Sequence, residues 1–280
     1  MRSANAAHAS QCVRRTRQGA RSFALIALDW FSLSAALGLA ALALARIETL
    51  PPLGWAPLLL LAVGLGWVFA DFSSGIVHFL CDRFGSEATP LFGPAVIRPF
   101  REHHVDPRAI TEHGFVELSG NNALALTPIL AAGSELAPFF GDALLPSAVF
   151  SWLMSASVGL FTTNQIHRWA HMQRAPRLGR ALQRIGLAIS AEAHARHHSA
   201  AHDRAFCITN GWCNGPLDRM QAWARVERWV RGRGAQEPAP SAADRAASAG
   251  DRAPTEERAT TAPLHDPTPP VQPLPRVEQA

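Results

Sequence analysis

The chain has 280 residues, of which 48% are hydrophobic and only 17% charged, and its formal net charge is +4. A soluble domain carries about 25% charged residues, and here the apolar residues form long blocks, which excludes an ordinary soluble enzyme. The four cysteines form no Cys-x-x-Cys pair, so neither a disulfide framework nor a cysteine zinc site is indicated.

Four apolar runs predict four membrane-spanning helices. They lie at about 23–45, 53–80, 123–140 and 143–163, and roughly 20 apolar residues suffice to span a bilayer. The first run is longer than the core of roughly 7–15 residues in a signal peptide, so we expect a retained anchor. A two-residue turn separates the third and fourth runs, which predicts a helical hairpin.

The arginines predict the orientation. They are frequent before residue 23, within 83–117 and after 167, but the 46–52 link has one and the 141–142 turn has none. By the positive-inside rule, both termini and the histidine-rich segments lie in the cytoplasm, and we expect the membrane to be a bacterial inner membrane. The amphipathic segment 178–190 predicts a short helix on the membrane surface.

These observations together predict an all-α integral membrane protein with about four transmembrane helices and a cytoplasmic, histidine-rich cap for two metals. Three regions follow: a basic N-terminus (1–22), a membrane-embedded domain (23–231) and a tail rich in proline and alanine (232–280). The tail has too little apolar surface to offset its ordering entropy, so we predict disorder there.

Ten of the twelve histidines lie between residues 78 and 202 and are candidate metal ligands. Residues three or four apart share one face of a helix, and neutral imidazole suits zinc, copper, iron and nickel. One tetrahedral site needs only four ligands, so ten candidates favour two metals. The candidates are His78, His103, His104, His113, His167, His171, His194, His197, His198 and His202.

Other polar residues accompany the histidines. Asp71 and Asp82 share a face of the second apolar run with His78. A carboxylate at membrane depth is energetically costly, so its presence there indicates a function. We predict that both accept the second N–H of a ligand histidine, although simple solvation of the helix end is the alternative. Glu117 and Asn121 are weaker candidates for the same role.

Two arginines, Arg98 and Arg101, are candidate contacts to a lipid phosphate. The alternative is that both belong to a generic positive cytoplasmic face.

Three segments resemble the Kua-type lipid desaturases, a family that includes plasmanylethanolamine desaturases and a chloroplast desaturase of palmitate in phosphatidylglycerol. The resemblance lies in Arg98–His113, in Thr163–His171, and in His194–Asp203 followed by Cys207–Asn214. It implies a non-haem di-iron enzyme with two iron ions on histidines, O2 as co-substrate and a membrane glycerophospholipid as substrate. The chain has no flavin or iron–sulfur motif, so an external donor, a ferredoxin or a cytochrome b5-like protein, is expected; no nucleic-acid partner is expected.

The resemblance implies conversion of a 1-O-alkyl chain of plasmanylethanolamine into a vinyl ether. Two alternatives remain open: desaturation of an acyl chain near its carboxyl end, and a histidine-rich protein that binds or transports a metal. A transporter should hold its ligands near the bilayer midplane, whereas these histidines lie at one rim. Residues 114–122 depart from the family pattern, so substrate differences are expected there.

Overall fold

The computed structural model describes residues 23–90, 92–199 and 202–234, and all the regular elements within them are helices. The predicted N-terminal segment 1–22 and nearly all of the predicted tail lie outside the described residues. The helices are α1 (Phe23–Ala45), α2 (Ala56–Arg83), α3 (Arg98–Val105), α4 (Ala109–Glu112), α5 (Phe115–Leu136), α6 (Leu144–His171), α7 (Arg177–Arg184), α8 (Ala191–Ala195), α9 (Asn214–Arg219) and α10 (Ala222–Gly234). The all-α prediction is confirmed.

Four long helices form the body of the protein. Helix α2 packs against α6, α1 packs against α5, and α5 packs against α6, so the predicted hairpin joins the two pairs. Leucines and alanines of α1 and α5 form the apolar contact between those two helices: Leu33, Ala36, Ala123, Leu126 and Leu130. The small residues let the helix backbones approach closely.

Three helical segments are long and apolar enough to cross a bilayer: α1, α2 with its preceding 3-10 turn (Leu53–Arg83), and α6. Large apolar side chains of α2 point outward along its length, including Leu60, Leu61 and Phe72. An apolar surface of this extent suits lipid rather than water. The remaining predicted span, the third run at 123–140, corresponds to α5, and the count of four spans and the cytoplasmic orientation stay predictions.

Two predicted boundaries differ from the structure. Helix α5 begins eight residues before the apolar run at 123, because its polar first turns face protein: Asn122 Nδ2 donates to the Leu160 carbonyl at 2.8 Å. The surface helix predicted over 178–190 is helical only to Arg184. Gly186 follows with φ +75°, a left-handed conformation that ends helices.

The contact between α2 and α6 generates a stability prediction. A Cβ at Gly66 would overlap the Trp152 carbonyl oxygen and the Ser155 side chain, so Gly66→Ala should lower the free energy of unfolding by about 1–3 kcal/mol. Gly64, on the same helix, has open space at that position, so Gly64→Ala is the matched control and should be neutral or slightly stabilising. Thermal unfolding in detergent compares the variants; equal midpoints would contradict the packing described.

Candidate metal centre and lipid cavity

Four parts of the chain bring eight histidines to one end of the helical body. Helix α6 places two of them on one face of its last turns, four residues apart. Helix α8 is only five residues long, and its first turn is fixed by Ser190, whose hydroxyl accepts the Ala193 N–H at 3.1 Å. The contributors are α2 (His78), α3 (His103, His104), α6 (His167, His171) and α8 with its following turn (His194, His197, His198).

The eight histidines form two groups of potential metal ligands, and His103 belongs to both. Within each group the candidate ligand atoms all lie within 4.8 Å of one another. The first group is His103, His167, His171, His194 and His198. The second group is His78, His103, His104 and His197. The geometry therefore fits the predicted pair of metals side by side.

The nitrogen spacing in the first group fits a cation. The Nε2 atoms of His167, His171 and His194 form a triangle with sides of 2.9, 2.9 and 3.1 Å. A neutral ring nitrogen either donates or accepts, so any proton assignment leaves at least one side with two lone pairs or two protons face to face. Two ligands about 2.1 Å from one metal at a right angle lie about 3 Å apart, so a shared metal would remove the conflict.

A carboxylate lies beside the second group. Asp82 Oδ2 lies 3.3, 3.4 and 3.3 Å from the Nε2 atoms of His78, His104 and His197. Both Asp82 oxygens and the Nε2 atoms of His78 and His103 are buried without a hydrogen-bond partner among the described residues. The sequence predicts that Asp82 accepts the N–H on the far side of a ligand histidine ring. Its Oδ2 instead lies near the Nε2 atoms, which are the candidate ligand atoms. Asp82 therefore lies next to the candidate ligand atoms of the second group, although it is not a member of that group.

Most of these rings are buried. His78, His103, His167, His194 and His197 are at most 2% exposed. Burial, reinforced by neighbouring histidines, lowers the pKa of His104 and of His198 to about 3 and holds the pKa of His103 and of His194 well below the usual value. As the pH falls below about 6.5, the unfolded chain therefore binds protons that the folded one does not, and stability falls with it. At neutral pH these four rings are therefore neutral, and their lone pairs are available to a metal.

Backbone carbonyls fix two of the rings. His78 Nδ1 lies 3.1 Å from the Phe206 carbonyl oxygen, and His197 Nδ1 lies 2.7 Å from that of Arg204. A carbonyl only accepts, so each Nδ1 carries the proton and each Nε2 presents its lone pair to the site. This role of the 204–206 segment could not be predicted from the sequence, since a main-chain acceptor leaves no side-chain signature.

Asp71 has a different role from the one predicted. Its carboxylate accepts the backbone N–H groups of Asn210, Gly211 and Cys213 at 2.8–3.0 Å, where an orienting contact to a histidine ring was expected. The reason is that the loop containing residues 210–213 returns across α2 and directs these N–H groups toward the Asp71 carboxylate. Asp71 thereby anchors the segment whose carbonyls hold His78 and His197.

Two predicted ligands lie outside both groups. His113 follows the end of α4 in an extended conformation, and its Nδ1 lies 3.0 Å from Glu117 Oε1. His202 stacks on the His104 ring with centroids 4.4 Å apart. Glu117 thus contacts a predicted histidine, but one outside the metal groups.

The remaining predicted residues divide between the cavity and the backbone. Asn121 Nδ2 donates to the Ala95 carbonyl at 2.7 Å and does not orient a histidine. Arg101 donates to the carbonyls of Cys81, Phe84 and Gly85, so it closes the end of α2 where a contact to a lipid headgroup was predicted. Arg98 lines the cavity described next.

A cavity of about 780 Å³ adjoins the histidines. Its volume falls in the range of roughly 300–1,000 Å³ typical of ligand sites. His103 and His167 line it, and apolar side chains such as Val77, Leu160 and Ile208 form much of the remaining wall. An apolar chain inside the cavity would therefore lie against ligands of the first metal group.

One family model and several known desaturases match this chain. The model of the lipid desaturase domain matches residues 67–240. A plasmanylethanolamine desaturase of Myxococcus xanthus is 43% identical over 62% of this chain and 60% of its own length, so the match covers less than two thirds of that relative.

Two further relatives extend the comparison. Plasmanylethanolamine desaturase 1 of Mus musculus is 38% identical over 75% of this chain and 79% of its own length. The chloroplastic fatty acid desaturase 4 of Arabidopsis thaliana is 32% identical over 58% of this chain and 48% of its own length. No solved structure matches the chain significantly.

The two groups generate a prediction of metal content. We expect about two transition-metal ions per chain, measured by inductively coupled plasma mass spectrometry. His194→Ala should remove about one of them, because the Nε2 of His194 lies within 3.1 Å of those of His167, His171 and His198. His113→Ala is the matched control and should retain both. Equal metal content in all three proteins would contradict the grouping.

The Asp71 anchor generates a second prediction. Asp71→Asn keeps one acceptor oxygen but turns an NH2 group toward backbone donors, and a hydrogen bond to a charged group contributes about 1.5–3 kcal/mol. We expect a lower unfolding temperature and a lower metal content together. Asp142→Asn, at an exposed contact with Thr49 Oγ1, is the control. A normal metal content in Asp71→Asn would show that this loop does not support the metal centre.

Proposed function

Because the chain belongs to the lipid desaturase family, we propose that it is a plasmanylethanolamine desaturase. In this reaction the first two carbons of the 1-O-alkyl chain each lose one hydrogen, which leaves a vinyl ether. O2 is reduced to two waters by the two electrons of the substrate and two from an external donor protein. The proposal takes the substrate from the names of the bacterial and mouse relatives.

The observation that carries the proposal is that apolar side chains and histidines of the metal groups line the same cavity. Carbons next to an ether oxygen lie just beneath the lipid headgroup, and a chain inserted to that depth would pass His103 and His167. Phe100 lines the same cavity and packs against His78, with ring centroids 5.0 Å apart. Its ring would press the chain toward the ligands and exclude water.

We propose that two iron ions occupy the histidine groups. The donor set fits them, since several neutral imidazoles and one carboxylate are ligands that iron accepts. When bound, the irons would supply the activation of O2 and the removal of hydrogen from carbon. The protein's part is to hold the lone pairs of His78 and His197 in place through the carbonyls of Phe206 and Arg204, and to position the lipid chain.

Acyl-chain desaturation remains the second candidate, favoured by the similarity to the Arabidopsis fatty acid desaturase. Both candidates use the same centre and differ in the bond presented to it. Metal transport receives no support from the relatives, all of whose names given above are those of desaturases.

Lipid mass spectrometry tests the proposal. Membranes of a bacterial host that expresses the protein and is fed alkylglycerol are supplied with O2 and reduced ferredoxin. We expect ether phospholipids that lose two hydrogens and become acid-labile, and we expect none with His198→Ala, which removes a ligand of the first group. New double bonds in acyl chains instead would assign the acyl reaction, and no new product would contradict the proposal.

A further inference from the structure

Helix α10 has an inner face that is fixed to the end of α2. On this face Trp223 is 6% exposed and packs against Phe79. Glu227 accepts hydrogen bonds from Arg83 Nε and from Arg231 Nε, both at 2.9 Å. Arg83 is the last residue of α2, so these contacts hold α10 at the level where that helix ends.

The outer face of α10 combines apolar and basic side chains. Val226 and Trp229 lie three residues apart on one side of the helix and are 45% and 57% exposed. Arg225 and Arg228, which are also exposed, flank them on the same side. Glu227 is the one acidic residue of α10 and belongs to the inner face. The outer face therefore presents two positive charges beside an apolar surface.

The position of α10 suits the surface of a bilayer. Phe72, Ile76 and Leu80 form a row of exposed side chains along α2, each four residues from the next. Because α2 is long and apolar enough to cross a bilayer, this row suits the hydrocarbon core. The row ends one turn before Arg83, so the level of α10 corresponds to the headgroup region.

From the composition and position of this outer face we infer that it binds the surface of an anionic bilayer. Tryptophan is enriched at the membrane interface, and a helix with one apolar and one basic side lies in the plane of that interface. Val226 and Trp229 would contact the outer ends of the acyl chains. Arg225 and Arg228 would pair with lipid phosphates through charge-assisted hydrogen bonds.

This surface is separate from the cavity beside the histidines. No described residue of α10 lines that cavity, so the inference does not depend on the reaction that the protein catalyses. Residues 235–280, which follow α10, contain no aromatic residue and offer little apolar surface to cover Trp229. The bilayer therefore fits the outer face better than this part of the chain does.

The inner face connects the bilayer contact with the histidine site. Trp223 packs against Phe206, with ring centroids 5.3 Å apart. The carbonyl of Phe206 in turn fixes the His78 ring. Lipid bound on the outer face would hold α10 against the segment that orients this candidate ligand.

Fluorescence quenching in nanodiscs tests the inference without turnover. The full-length, metal-loaded protein is placed in phosphatidylcholine nanodiscs with increasing fractions of brominated phosphatidylglycerol or, separately, of brominated phosphatidylcholine. The emission of Trp229 is the difference between the wild type and Trp229→Phe. We expect half-quenching at a fraction about fivefold lower for phosphatidylglycerol, since an arginine near an anionic surface contributes an attraction of about this size.

Two outcomes of this measurement would overturn the inference. If neither lipid quenches Trp229, the outer face is covered by protein, either a partner or residues 235–280. If both lipids quench it at equal fractions, the face has no preference for anionic lipid. Trp223, on the inner face of the same helix, is the matched control, and its emission, taken from Trp223→Phe, should respond to neither lipid.

Substitution of the two arginines locates the charge recognition. The double variant Arg225→Gln/Arg228→Gln should lose the difference between the two lipids, and Arg225→Lys/Arg228→Lys should retain most of it. Arg174→Gln/Arg177→Gln is the matched control, because it removes two exposed arginines outside α10 and should leave the difference unchanged. A difference that persists in Arg225→Gln/Arg228→Gln would overturn the role of these arginines.

Discussion

Imidazole nitrogens brought to 2.9–3.1 Å from one another inside the protein are the constraint on which the rest of the structure depends. Neutral rings at this spacing cannot all satisfy one another through hydrogen bonds, and burial opposes their protonation. A cation that accepts the lone pairs would turn this unfavourable arrangement into a stable one. The ends of α2 and α6, the whole of α3, and α8 with its turn converge at this point.

The segment 204–214 links the apolar helices to this centre. Asp71 and Ser74, both buried in α2, accept hydrogen bonds from the loop: Ser74 Oγ accepts the Ile208 N–H at 3.0 Å, and Asp71 accepts three further N–H groups. On its other side, Thr209 contacts Thr163 of α6 through their hydroxyls at 2.7 Å. The loop therefore holds α2 against α6 and directs two carbonyls at ligand rings. Asp71, a buried carboxylate in an apolar helix, thus supports the geometry of the histidine site.

Much of this could be predicted from the sequence. Apolar runs indicate the long helices, and the four-residue spacing of His167 and His171 places two ligands on one face. The roles of Asp71 and Arg101 could not be predicted, because their partners are backbone groups whose positions depend on loop conformation. His113 has the right residue type and lies near the site along the chain. Only the extended conformation after α4 directs it to Glu117 instead.

X-ray absorption at the iron edge of the iron-loaded protein tests most directly whether the histidine groups hold two adjacent metal ions mainly through imidazole. We predict nearest neighbours dominated by nitrogen, the multiple scattering typical of several histidine rings, and a distinct iron–iron contribution. Sulfur ligation, a ligand shell dominated by oxygen without histidine scattering, or isolated iron atoms would contradict the centre described.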